Sequence, residues 1–242
     1  SEHASYYAYN SVYKKIKEWL YPRLKAISVP TTMDTQIYRE KGYNAYYIPH
    51  MTTFDKIVDN SLRSHRVINV GRLTKDKQQI MLLDIWKEFN KKFPQNEYLL
   101  QIIGSGEEKE NIISYIEENK IKNVELIPHT SKIEEYYREA ELFVFTSKME
   151  GFGMVLLEAM SYGIPCISFD CPSGPRDIIN NEVNGFLVPC YDKSKFSNYI
   201  YKYVTSNQSI KENFSRGAKE TIIQWDNNEI INKWVDVFRK IG

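Results

Sequence analysis

The sequence predicts an α/β fold: a doubly wound, Rossmann-like parallel sheet, preceded by part of a second domain. From position 66 onward, short β-branched runs alternate with amphipathic stretches of helical spacing. Strands that alternate with helices indicate right-handed βαβ units, which build a mostly parallel sheet covered on both faces. Of the 242 residues, 42% are hydrophobic and 14% are aromatic, so the chain can bury a sizeable core.

Six short strands and the helices around them follow from this alternation. Within 80–93, for example, apolar residues recur at the three- and four-residue spacing of a helix. The predicted strands are 66–71, 98–103, 124–127, 142–146, 166–169 and 185–188. The predicted helices are 80–93, 107–120, 133–140 and 153–162. Beyond position 205 two helical patterns follow, with expected packing residues Trp225, Ile230, Trp234 and Phe238.

The first 60 residues contain four elements that do not form a domain by themselves. They are helix 12–24, strand 26–29, helix 34–41 and strand 46–48. Four elements closed by Pro49 offer too little core to be stable alone. We therefore expect them to be the tail of another domain, and the absence of an initiator Met fits a chain cut from a longer protein.

Composition argues against several classes of protein. The 32 Lys and Arg residues balance 31 Asp and Glu residues, which argues against a duplex nucleic-acid binder. No apolar run approaches the roughly 18 residues that cross a bilayer, and the chain opens without a secretory signal. The three cysteines include no C-x-x-C pair and indicate reduced, structural thiols. These features predict a cytoplasmic protein.

The segment 147–160 carries the strongest signal of chemistry. It follows a predicted strand, at the edge of the sheet where open α/β folds bind ligands. Gly151 and Gly153 allow close backbone approach, and the free N–H groups of the helix that starts there favour an anion. Glu150 precedes this helix start and Glu158 lies within the helix, so two carboxylates flank it. By spacing alone, a solvated loop Glu and an ordinary ion pair explain them equally well.

The surrounding residues favour one family. The pattern Glu-Gly-Phe-Gly-x4-Glu-Ala-Met-x2-Gly-x-Pro at 150–165 resembles the donor-binding signature of retaining glycosyltransferases of family 4, the glycosyl transferases group 1, which have the GT-B fold. Four further motifs resemble that family in order, at 70–77, 104–106, 170–179 and 184–189. The resemblance is dense over about residues 66–190. Two departures are Asp177, where the family more often has Glu, and Thr146, where Pro commonly precedes the Ser.

The resemblance implies roles for the charged residues. Arg72 and Lys77 would neutralise the leaving nucleoside diphosphate in place of a metal; the alternative is a solvated pair on a loop. Glu150 would bind the donor-sugar hydroxyls and support charge at the anomeric carbon, and these three would be the catalytic residues. Glu158 would hold the ribose hydroxyls. The backbone at the helix start would contact sugar and phosphate, through Gly151, Phe152, Gly153, Met154 and Val155, with the Phe152 side chain favoured as packing.

Other positions carry weaker assignments. Gly104 would let its strand end pass beside the donor, although a plain turn glycine explains it equally well. His129 and Thr130 would run past the nucleobase, although a structural His is favoured by its context. His3 resembles a His that the family carries in its N-terminal domain, on the acceptor side of the catalytic cleft. A solvated His near the chain terminus is the favoured alternative.

The family also implies an organisation and a function. Residues 1–62 would be the back end of an acceptor-binding domain with its connection, 63–206 the donor-binding domain, and 207–242 helices packing back toward the cleft. The expected activity is retaining transfer of a sugar from a nucleoside-diphosphate donor to a glycan or lipid-linked acceptor, without metal or cofactor. The form of 170–175 favours a UDP-sugar and bacterial surface-polysaccharide synthesis.

The sequence leaves few alternative functions open. A nucleotide-sugar-binding module without transfer activity retains the same diphosphate contacts and is the main rival. The basic, aromatic segment 13–21 has two interpretations, a peripheral membrane contact or an ordinary amphipathic helix, of which the second is favoured. A dinucleotide oxidoreductase is excluded because the G-x-G at 104–106 lacks the third glycine, and no G-K-[ST] of a P-loop is present.

Overall fold

A six-stranded parallel sheet organises the computed structural model, which describes residues 11–52, 57–58, 60 and 62–242. In chain order the strands of the described residues are β1 Ile27–Val29, β2 Ala45–Tyr47, β3 Arg66–Val70, β4 Leu99–Ile103, β5 Val124–Ile127, β6 Leu142–Phe145, β7 Cys166–Phe169 and β8 Gly185–Val188. The large sheet has the order β5-β4-β3-β6-β7-β8, and every pairing in it is parallel. The predicted doubly wound sheet is confirmed.

Helices cover both faces of this sheet. In chain order they are α1 Ser11–Leu20, α2 Thr32–Glu40, α3 Gln79–Lys92, α4 Lys109–Glu118, α5 Ile133–Glu139, α6 Met154–Ser161, α7 Pro175–Ile178, α8 Lys193–Val204, α9 Gln208–Gln224 and α10 Asn227–Ile241. The helix predicted at 12–24 ends at Leu20, because Pro22 lacks the N–H that would continue it, and a 3-10 turn follows. The four-residue α7 has no apolar period and was not predicted.

Alternate strand residues face two separate apolar cores. Val67 belongs to the core under α3 and α8, whereas its neighbour Ile68 belongs to the core under α6 and α9. Both residues are fully buried, as is Trp86 of α3. Residues buried on both faces explain why the strands are continuous apolar runs rather than alternating ones.

The N-terminal segment forms a small sheet of its own. Strands β1 and β2 pair in parallel, and α2 packs on them through Tyr38. The last helix, α10, returns to this segment, where Ile230 packs against Ile48 and the Lys25 ammonium donates to the Ile241 carbonyl at 3.1 Å. The domain boundaries at 62 and 206 remain predictions.

One predicted packing residue of α10 is wrong. Phe238 is 60% exposed and stacks on Trp234 at the surface, with 5.8 Å between ring centroids. Helical spacing alone cannot show whether an apolar face meets a partner. Within the described residues, no helix combines the length and apolarity that crossing a membrane requires.

A buried ion pair fastens α9 to the start of β6. The Glu141 side chain is fully buried and accepts from the Lys211 ammonium at 2.6 Å, from the Tyr98 hydroxyl at 2.9 Å and from the His65 N–H at 3.1 Å. Burial, and next the charge of Glu141, raise the pKa of Tyr98 far above its usual value. Removing one partner of such a pair leaves an uncompensated buried charge.

We expect Lys211→Met to lower the free energy of unfolding by about 3 kcal/mol, because Glu141 then loses its counter-ion. Urea denaturation monitored by circular dichroism measures the difference. The matched control is Lys202→Met, since Lys202 and Glu182 pair at the surface with side chains 56% and 58% exposed. The control should cost less than about 1 kcal/mol. Equal losses of unfolding free energy in the two variants would show that the buried pair stabilises the fold no more than the surface pair does.

Candidate active site

The sheet reverses its direction of growth between β3 and β6. The chain adds β4 and β5 on one side of β3, then crosses back and adds β6, β7 and β8 on the other. Loops that leave β3 and β6 at their carboxyl ends therefore diverge and open a crevice, the usual ligand site of a doubly wound fold. The candidate residues lie on the loops after β3, β4, β5 and β6 and on α6.

The loops after β3 and β4 pack directly backbone to backbone. A Cβ at Gly104 would lie 1.9 Å from the carbonyl oxygen of Gly71, and one at Gly106 would lie 2.2 Å from that of Leu73. The Leu73 N–H donates to the Ser105 carbonyl at 2.9 Å. Gly104 is thus required by close approach of two loops, whatever its role toward a ligand.

A cavity of about 440 Å³ opens at this edge. Arg72, Gly104, His129, Thr130 and Glu158 all line it, so the structure brings together five predicted site residues from four segments. Its lining includes apolar side chains, one cation, Arg72, and one carboxylate, Glu158. Among the residues that the structure describes, no hydrogen bond or ion pair involves the Arg72 guanidinium. The cavity therefore suits a flat, partly apolar ligand with hydroxyl and anionic groups.

Glu158 is held from behind by a buried tyrosine. The Tyr137 hydroxyl donates to Glu158 Oε2 at 2.9 Å, and the Tyr137 ring, 1% exposed, stacks on Tyr162 at 5.4 Å. Burial raises the pKa of the Glu158 carboxyl, and the Tyr137 hydrogen bond opposes that rise. The second carboxylate oxygen has no protein donor among the described residues and is available to a ligand.

Lys77 and Glu150 form an ion pair across the crevice. Lys77 lies on the 3-10 turn after β3 and Glu150 on the loop after β6, and their side chains are only 21% and 11% exposed. Two of the three predicted catalytic residues are therefore in contact. Because the pair is largely shielded from water, each charge holds the other in place more firmly than a surface pair does.

Thr146 fastens the turn that carries Lys77. Its buried hydroxyl donates to the carbonyl oxygens of Lys77 and Gln78 at 3.2 and 3.3 Å, and the Lys148 N–H donates to the Asp76 carbonyl at 2.8 Å. The departure from the family pattern at this position thus has a structural role. Neither Thr146 nor Tyr137 was predicted as a site residue, since each acts through a neighbour distant in sequence.

Helix α6 begins without a capping side chain. Gly153 precedes it at φ +93°, a conformation that favours glycine, and no side chain of the described residues accepts from the first-turn N–H groups. Gly151, Met154 and Val155 are half-buried around this start. The N–H groups of such a turn bind anions well. Phe152 is 3% exposed and packs on His50 and Trp225, the packing role that the sequence favoured.

Three further predictions concern His3, the cysteines and metal binding. His3 lies outside the described residues. Burial raises the pKa of the Cys166 thiol far above its usual range, which fits an inert structural cysteine. Within the described part of the chain, no group of three or more His, Cys, Asp or Glu side chains is arranged to hold a metal ion.

Comparison with known proteins identifies the class. Residues 52–221 match the family described as glycosyl transferases group 1. The amylovoran biosynthesis glycosyltransferase AmsD of Erwinia amylovora is 31% identical over 249 residues, which cover 98% of this chain and 68% of AmsD. The chain belongs to the glycosyl transferases group 1, an enzymatic family, and is related to bacterial cell-surface polysaccharide glycosyltransferases.

Solved structures share the fold. A mutant of S. aureus TarM, in complex with fondaparinux, α-GlcNAc-glycerol and UDP, superposes with a TM-score of 0.85 at 23% identity, over 97% of this chain. The pneumococcal O-GlcNAc transferase GtfA, in complex with UDP and GlcNAc, gives 0.82 at 23% identity, over 99% of this chain. The chain spans 49% of the length of each of these two chains.

We expect Glu158→Gln to raise the melting temperature at neutral pH. Burial raises the carboxyl pKa above its ordinary 4.5, so the folded protein disfavours the charged form. Wild-type stability then falls as pH rises from 4.5 through the raised pKa, whereas Gln has no proton to lose. The Gln amide oxygen can still accept from Tyr137.

Differential scanning calorimetry between about pH 4 and 8 measures this effect. The gap between Glu158→Gln and wild type should widen with rising pH. The exposed Glu118→Gln of α4 is the matched control, for which the wild-type curve is expected. A gap that is constant with pH would rule out the buried charge as its cause.

Proposed function

We propose that the protein is a retaining glycosyltransferase that moves a sugar from a UDP-sugar to a hydroxyl of a glycan or lipid-linked acceptor, in the synthesis of bacterial surface polysaccharide. The observation that carries this proposal is the shielded Lys77–Glu150 pair, which joins the turn after β3 to the loop leading to the uncapped start of α6. A cation, a carboxylate and free N–H donors at one helix start suit a ligand that joins a diphosphate to a polyhydroxylated ring.

The nucleoside would occupy the cavity of about 440 Å³. Because Tyr137 engages one Glu158 oxygen, the other oxygen can accept hydrogen bonds from the ribose hydroxyls. The nucleobase would lie between Gly104 and the segment carrying His129 and Thr130. In this arrangement the diphosphate would lie toward Arg72, which lines the same cavity.

Arg72, Lys77 and the first turn of α6 would bind the diphosphate. As the bond between the anomeric carbon and the phosphate oxygen breaks, negative charge grows on that oxygen. Two cations and backbone N–H groups stabilise this charge more in the transition state than in the bound donor. The leaving group is thereby activated by the residues of this chain.

Glu150 would act on the sugar side of the breaking bond. Its carboxylate accepts from donor-sugar hydroxyls and lies where positive charge develops at the anomeric carbon. In same-face transfer, the acceptor oxygen bonds to that carbon while the departing phosphate oxygen takes the acceptor proton. The ion pair with Lys77 holds the Glu150 carboxylate in its orientation before the donor arrives.

Relatives support the donor and acceptor classes. AmsD takes part in amylovoran biosynthesis by its name, and the TarM and GtfA structures contain UDP. A cytoplasmic location with peripheral membrane contact fits a lipid-linked acceptor, and α1 exposes apolar residues toward solvent, with Ile16 54% and Trp19 61% exposed. Vesicle co-sedimentation of wild type against Trp19→Ser tests that contact.

We expect Lys77→Ala to weaken UDP binding about tenfold, because a charge-assisted contact with the diphosphate is lost. Isothermal titration calorimetry measures the dissociation constant. Lys75→Ala is the matched control, since Lys75 lies on the same turn but faces a separate cavity between α3 and α4. The control should stay within about twofold of wild type. Unchanged affinity in Lys77→Ala would remove Lys77 from the diphosphate site.

We expect Glu150→Gln to reduce turnover of the UDP-sugar about 100-fold, since the charge that supports the transition state is removed. UDP binding should remain within about threefold, because the nucleoside contacts lie on other segments. Coupled detection of released UDP, with and without acceptor, measures turnover. Normal turnover in Glu150→Gln would contradict its catalytic role. Tight UDP binding by a wild type that transfers no sugar would favour a binding module instead.

A further inference from the structure

The loop after β7 holds the backbone of Glu150. The Glu150 N–H donates to the Pro172 carbonyl at 2.9 Å, and the Ser173 N–H donates to the Glu150 carbonyl at 3.3 Å. Gly174, at φ +97°, lies so close that a Cβ there would be 2.1 Å from the carbonyl oxygen of Phe152. Residues 172–174 and 150–152 therefore form one tightly joined unit.

The first turn of α2, in the N-terminal segment, is hydrogen-bonded to this unit. The Ser173 hydroxyl donates to Asp34 Oδ2 at 2.6 Å, although the two residues are 139 positions apart. Both are fully buried, so water does not compete for the bond. The Thr31 hydroxyl donates to the same Asp34 oxygen at 2.9 Å and fixes the carboxylate in place.

A second contact joins the same two parts of the chain, but here the carboxylate belongs to α7 and the donors to α2. Asp177 of α7 accepts from the Thr32 N–H at 2.7 Å and from the Thr32 hydroxyl. Its carboxylate thus lies at the N-terminus of α2, where the helix dipole favours negative charge. One carboxylate reaches from α2 to the loop and the other from α7 to α2. Together they fix the position of the loop relative to the N-terminal segment.

We propose that Asp34 is a positioning residue for Glu150, an inference that rests on the proposed function. Asp34 holds Ser173, Ser173 holds the backbone of Glu150, and the carboxylate of Glu150 is thereby placed against the donor sugar. The N-terminal segment thus sets the geometry of transfer without contacting the nucleoside cavity. A displacement of about 1 Å at a reacting group can cost about 100-fold in rate.

Two variants of the whole chain test the contact. Ser173→Ala removes the hydroxyl with almost no change of volume, and Asp34→Asn keeps the shape but removes the charge that strengthens the bond. Ser197→Ala, a serine of α8 that is 3% exposed, is the matched control for a buried serine outside the loop. Melting temperatures identify any variant that fails to fold.

Amide hydrogen exchange measures how firmly the loop contact restrains the backbone of Glu150. In Ser173→Ala, the amide of Glu150 should exchange about tenfold faster than in wild type, since its acceptor segment is less restrained. Asp34→Asn should give a smaller change of the same sign. Ser197→Ala should leave this amide unchanged. Exchange of residues 148–153 at the wild-type rate in both Ser173→Ala and Asp34→Asn would overturn the proposal.

Turnover shows whether the positioning matters. In Ser173→Ala, kcat for UDP-sugar turnover should fall about tenfold while the dissociation constant of UDP stays within about threefold. A merely structural role would lower kcat and weaken UDP binding together. In the Glu150→Gln background, Ser173→Ala should cost less than about twofold, because the group being positioned is already lost. A tenfold loss in that background would overturn action through Glu150.

The two claims fail separately. If wild type binds UDP but turns over no UDP-sugar with any acceptor tried, the proposed transfer falls, while hydrogen exchange at Glu150 still decides the positioning by Asp34. If wild type transfers sugar and Ser173→Ala does so at the same rate, the positioning falls and the proposed transfer stands.

Discussion

The divergence of the chain between β3 and β6 is the constraint on which the site depends. Because β3 and β6 are neighbours in the sheet but their following loops turn to opposite sides, a crevice opens at their carboxyl ends. The Lys77–Glu150 pair spans this crevice and joins the two halves of the sheet. Close glycine contacts on one side and the uncapped start of α6 on the other leave the backbone accessible there.

Much of this could be predicted from the sequence because the signals are local. A buried parallel strand needs a continuous apolar run, so strands such as β4 and β7 are visible within a residue of their ends. The same holds for Glu150 and Glu158, whose spacing is set within one loop and one helix. Family resemblance then attached roles to Arg72 and Lys77.

What escaped prediction depends on contacts between distant segments. Tyr137 of α5 meets Glu158 of α6 only in the folded chain, and Asp34 meets Ser173 only after the N-terminal segment docks. No periodicity encodes such pairs. The error at Phe238 has the same origin, since an apolar helical stripe does not reveal whether a partner surface lies opposite.

We propose one nucleotide site in this protein, at the carboxyl edge of the sheet. Titration of UDP into the ¹⁵N-labelled chain, followed by two-dimensional NMR, locates the residues that respond to UDP. We expect amide shifts concentrated at residues 71–73, 104–106, 129–130 and 153–155. Shifts confined to the separate cavity between α3 and α4, around Ile80 and Asp84, or no shifts at saturating UDP, would rule out a nucleotide site at this edge.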